Sequence, residues 1–132
     1  GRTVTLSNSD IKVGPSSTGF SAAALVAVDG KPIAASKRLL FSLLGRSENA
    51  NWKWREDGRM LTSWGSNPKV VEGIMCALSF RNDSPRARAF SLDGAGNRIR
   101  ELPTTDAAGR VAFTLLPEHR TMWVEFDLRG SR

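Results

Sequence analysis

A chain of 132 residues with 40% hydrophobic content can bury one ordinary core but hardly two, so residues 1–132 are expected to form a single domain. The net charge of +6 raises nucleic acid as a partner, but the arginines are interleaved with carboxylates along the whole chain, with no zinc-finger spacing, RNP-like motif or basic helix, and nucleic acid is set aside. The lone Cys76 excludes an internal disulfide and a cysteine-based zinc site, and no apolar run reaches a membrane-crossing length, so no membrane partner is expected.

Strand signals begin at the N-terminus. "RTVTLSN" alternates Val4 and Leu6 with polar residues, and "FSAAALVAVDGKPIA" is a small-residue and β-branched run ending in an Asp29-Gly30 turn. "KRLLFSLLG" places Leu39, Phe41 and Leu43 on one face and Leu40, Ser42 and Leu44 on the other, which predicts a strand buried on both sides or central in its sheet. Cys76 sits in the apolar run "GIMCALSF" and belongs to the core.

"RARAFSL" leads through "DGAGN" into "RIREL", a hairpin signal. With Leu92 facing Asn97, Phe90 lies opposite Ile99 and Arg88 opposite Glu101; Phe90, Leu92 and Ile99 then gather on one side, and Arg98 and Arg100 face solvent. In "GRVAFTLLPEHRTMWVEFDL", Val111, Phe113 and Leu115 form one apolar row and Met122, Val124, Phe126 and Leu128 another. The Pro-Glu-His segment between them reads as a turn, with His119 solvated and Trp123 on the outward parity of its strand. No amphipathic helix, repeat or low-complexity linker interrupts this pattern. About eight short strands with turns roughly every 8–12 residues predict an all-β fold, an antiparallel two-sheet β-sandwich of immunoglobulin-like or jelly-roll-like type. A small closed barrel is the alternative.

"ENANWKWREDGRMLTSWGSNP", residues 48–68, breaks the pattern: it reads as loop yet holds three of the chain's four tryptophans. If "NWKWR" is extended, Trp52 and Trp54 project on one face with Lys53 on the other, and a hairpin at Asp57-Gly58 would return Trp64 toward them. A sugar ring has a face of C–H groups and a belt of hydroxyls, so a glycan site wants aromatic surface rimmed by hydrogen-bonding side chains. Trp52, Trp54 and Trp64 supply the first. Glu48, Asn49, Asn51, Glu56, Asp57, Arg59 and Asn67 supply the second. The competing reading is a loop folded over the end of the sandwich that uses its tryptophans as a small core of its own.

Catalysis is not expected. A glycosidase needs an acid and a base at about 5–9.5 Å across the scissile bond, usually from separate elements, whereas Glu48, Glu56 and Asp57 share one segment. His119 lacks a nucleophile and an orienting partner. "DGAGN" offers one carboxylate, too few hard ligands for calcium. No cofactor is expected, and a structural calcium elsewhere stays open.

The segment from Phe20 to Gly73, through "DGKPIAASKRLLFSLLGRSEN", "NWKW" and "WGSNPKVVEG", resembles the C-terminal β-sandwich domains appended to bacterial cellulase-like glycoside hydrolases with (β/α)8 barrels. The tail "LPEHRTMWVEFDL" is similar to their closing strands. The resemblance implies a non-catalytic accessory domain, a carbohydrate-binding module for β-glucan or related plant polysaccharide, or alternatively a structural module that orients the catalytic domain. It further implies a secreted or periplasmic monomeric unit of a larger enzyme, in keeping with a chain that opens on Gly1 rather than Met.

Overall fold

The computed structural model describes residues 2–84 and 86–130. Among these the chain forms twelve strands: β1 (Arg2–Thr5), β2 (Ser9–Val13), β3 (Ala22–Ala27), β4 (Arg38–Leu44), β5 (Ser47–Trp54), β6 (Leu61–Val71), β7 (Cys76–Arg81), β8 (Arg88–Leu92), β9 (Arg98–Leu102), β10 (Thr104–Ala107), β11 (Arg110–Leu115) and β12 (Trp123–Asp127). They make two five-stranded antiparallel sheets, β1-β2-β7-β11-β10 and β3-β4-β12-β8-β9, and a separate pair, β5-β6. The two large sheets form the expected sandwich. No described helix is long and apolar enough to cross a membrane.

Period-2 alternation explains the core. Leu39, Phe41 and Leu43 of β4 and Val124 and Phe126 of β12 face Leu78 and Phe80 of β7 and Val111, Phe113 and Leu115 of β11, and all are buried. Phe126 is the point where the sheets meet: its ring lies 5.1 Å from Phe80 and 5.4 Å from Phe113, both edge-to-face. Cys76 is fully buried here, and burial pushes its thiol up to about 11.

Several expectations change in detail. β4 is interior to its sheet, between β3 and β12, as one of its two expected readings had it, but it is buried on its inner face only; Leu40 and Ser42 are half-buried on the outside and Leu44 is exposed. The β8-β9 hairpin runs two residues further along than expected, with Phe90 opposite Glu101 and Ala89 opposite Leu102, because Asp93 pairs with Asn97 in the turn and a bulge follows at Ser91/Leu92. Arg98 therefore does not point freely into solvent; it bonds Glu125 and Asp127 and lies over the Phe90 ring. The segment between β11 and β12 is not a hairpin turn but a crossover from one sheet to the other, containing one 3-10 turn, Pro117–His119. Within it His119 is half-buried, and its Nδ1 accepts the Leu116 amide at 3.1 Å.

Candidate functional site: a tryptophan arm

Residues 47–54 and 61–71 are strands rather than the expected loop. β5 and β6 pair only with each other and form a two-stranded arm. Its composition hides the strands because the ladder is irregular, with register shifts at Asn49/Ala50 and Lys53/Trp54. Asn51 and Gly65, close to each other across the arm, both take left-handed backbone conformations, with φ of 61° and 65°. A side chain at Gly65 would collide with the Ala50 carbonyl and the Trp52 amide, so this position needs glycine. Asn51 is an asparagine in a left-handed position, and its side chain is exposed.

At the tip, Asp57 caps the turn: it accepts the Arg59 amide at 3.0 Å and pairs with Arg55. The Arg55 bond, foremost, holds the Asp57 carboxyl below its ordinary range. At the root, Glu72 fastens the arm to the rest of the chain, accepting the Ser17 amide at 2.6 Å and the Arg46 amide at 3.4 Å, while Gly45 leaves room for Ile74.

Between tip and root the three indoles gather on one face. Trp52 is the cross-strand partner of Trp64, and their rings lie 5.2 Å apart at 81°, edge against face. Trp54 lies 6.0 Å from Trp52, tilted by 50°. Trp52 is half-buried between its neighbours, whereas Trp54 is 44% and Trp64 72% exposed. A flat Trp52–Trp54 platform is therefore not what the arm presents. The exposed surface belongs to Trp54 and Trp64, and Trp52 is the packing piece between them.

Glu48 shares this face. Its Oε1 accepts the Trp54 indole N–H at 3.0 Å and pairs with Arg46, a residue the sequence did not single out. The Trp54 bond, more than Arg46, holds the Glu48 carboxyl below its ordinary range. Asn49 donates to the Trp64 carbonyl at 2.9 Å, so its role is within the arm. Glu56 and Arg59 are exposed at the tip, away from the indole contacts, and Asn67 precedes a cis peptide to Pro68. The structure thus joins Trp52, Trp54, Trp64 and Glu48, and leaves Glu56, Asp57 and Arg59 at the tip.

One indole is unsatisfied. The Trp52 Nε1 is buried with no hydrogen-bond partner among the described residues, which costs about 1–3 kcal/mol. Near the arm's root a second feature opens, a groove of about 790 Å³ bordered by Val70 and Val71 of the arm and by Leu92, Ile99, Met122 and Trp123 of the sandwich end. Trp123 takes the outward parity expected of it, while Met122 lines the groove instead of joining the core row. No group of three or more His, Cys, Asp or Glu is placed to hold a metal among the described residues.

Comparison with protein-family models, with curated proteins and with solved structures finds no match to this chain.

Proposed function

We propose that this domain is a non-catalytic polysaccharide-binding module that takes β-glucan or a related plant polysaccharide on the tryptophan face of its arm. The observation that carries the reading is the set of three indoles on one face of an arm that pairs with neither sheet of the sandwich. Exposed indoles contribute little to a core, and large aromatic surface kept in water beside hydrogen-bonding groups fits a ligand with an apolar face and a rim of hydroxyls. Trp54 and Trp64 stack on sugar rings, and Glu48 meets hydroxyls at the edge. The unpaired Trp52 N–H supports the same view, since local arrangements that cost stability concentrate at functional sites.

The carboxylates support a binding rather than a hydrolytic role. Glu48 is engaged by Trp54 and Arg46, and Asp57 by Arg55 and the turn, which fits carboxylates that position neighbouring side chains. A second reading, a module that packs against a catalytic barrel, is favoured by the groove at the arm's root with Trp123 in its wall.

Affinity electrophoresis against a panel of soluble plant polysaccharides tests the proposal. Retardation of the wild type, largely lost in Trp54→Ala and Trp64→Ala variants that still fold, is expected, with no reducing sugar released. Unchanged mobility in both variants would reject the arm as the site. Hydrolysis that disappears on mutating Glu48, Glu56 or Asp57 would overturn the non-catalytic assignment.

A further inference from the structure

The shape and charge of the arm narrow its ligand further. We infer that the arm selects a single, soluble, uncharged glycan chain over both the flat surface of a crystalline polysaccharide and an acidic glycan; this rests on the binding function proposed above. The first argument is geometric. A crystalline face is planar and contacts several aromatic rings only if they lie in one plane. Here the two exposed rings, Trp54 and Trp64, make different angles with Trp52, 50° and 81°, so they do not share a plane with each other. A lone chain, free to twist between successive sugars, can follow such a surface.

The tilt is held in place from both sides. Trp54 is tied through its indole N–H to Glu48, which Arg46 holds in turn. Trp64 packs edge-on against Trp52, and turning it into the plane of Trp52 would break that contact. Trp52 itself is half-buried, and its backbone amide lies against Gly65 of the facing strand. Glu48 is thus a positioning residue for Trp54.

Charge makes the second argument. Residues paired across the ladder share a face, so Trp52 with Trp64 and Glu48 with Val70 lie on one side, while Lys53 with Ser63 and Asn49 with Lys69 lie on the other. On the indole side the charges next to the rings are Glu48 and Arg46, which neutralise each other. Lys53 and Lys69 take the alternate ladder positions, next to Trp52 and Glu48's partner Val70 respectively but one residue out of phase. Among the described residues, the cation bonded next to the rings, Arg46, is thus already paired, which disfavours a polyanion there whatever the net charge of +6 on the whole chain.

Three ligands separate the outcomes: hydroxyethylcellulose in a native gel, carboxymethylcellulose in the same gel at low and high salt, and microcrystalline cellulose in a pull-down. Retardation by hydroxyethylcellulose, insensitive to salt, without depletion by the crystalline solid is expected. Depletion by the solid without retardation would overturn the inference and leave the binding function standing. So would tighter binding to carboxymethylcellulose that salt abolishes. Failure to bind any of these or any other plant polysaccharide would instead reject the binding function itself. Glu48→Ala is expected to weaken the soluble interaction by about tenfold, and Glu48→Gln, whose amide oxygen still accepts the Trp54 N–H, to restore most of it. Equal behaviour of the two variants would deny Glu48 its positioning role.

Discussion

Glu125 lies on the outward face of β12 and is nevertheless only 3% exposed. Arg38 at 2.8 Å and Arg98 at 2.7 Å cover it, and Arg98 also reaches Asp127 at 3.0 Å while lying over the Phe90 ring. Arg98 chiefly holds the Glu125 carboxyl below its ordinary range, and Arg129 chiefly does so for Asp127. Carboxylates depressed in the fold contribute stability that is complete above about pH 4 and is lost as the pH falls. Arg98→Ala is therefore expected to cost about 1–2 kcal/mol at neutral pH, at the modest end because Arg98 is 35% exposed, and less once acid protonates Glu125, while the Asp127 pair outlasts it to lower pH; urea melts at about pH 7 and at successively lower pH measure this. His119 gives a second, separate pH effect. Burial, then the charge of Arg100, lowers its pKa, and its Nδ1 must stay unprotonated to accept the Leu116 amide. The stability it lends is present above about pH 6.5 and declines below. The wild type is expected to lose thermal stability between about pH 7 and pH 5.5, and His119→Asn to show a flatter profile over that interval.

Elements differ in how openly the sequence announces them. β11 and β12 are legible because their inward residues alternate, Val111, Phe113, Leu115 and Val124, Phe126, whereas in β4 the inward row Leu39, Phe41, Leu43 is matched by Leu40 and Leu44 on the outer face, which hides which face the second sheet covers. β8 and β9 are legible as a hairpin but not in register, since a bulge and the Asp93 turn bonds shift the pairing without changing composition. The arm reads as loop because Asn51, Gly65 and Pro68 are loop residues, here used inside strands at left-handed and bulged positions. Even so, the spacing of Trp52 and Trp54 and the Asp57-Gly58 turn were enough to bring Trp64 to their side. The pairing of Arg46 with Glu48 had no sequence signal, because it depends on which way the bulged ladder faces. Since the arm pairs with neither sheet, its integrity and that of the sandwich are separable. Gly65→Ala is expected to disrupt the Trp52–Trp64 contact, seen as loss of near-ultraviolet circular dichroism from coupled indoles, while the global melting temperature changes little. A cooperative fall in melting temperature would mean that arm and sandwich form one unit.

At the scale of the whole molecule the two sheets meet around Phe126, so Phe126→Ala is expected to cost about 3–5 kcal/mol and to unfold the domain as one, as read by denaturant melts. Stability thus resides in the sandwich, and the account assigns recognition to the arm. The groove beside Trp123 supports the rival assignment, a domain that packs through its sandwich end. Intrinsic tryptophan fluorescence distinguishes them most directly. With a soluble β-glucan titrated in the presence of a neutral quencher, recognition by the arm predicts protection of the indoles that persists in Trp123→Phe and is lost when Trp54 and Trp64 are both replaced by Ala. Protection that disappears in Trp123→Phe and survives the double replacement would contradict it.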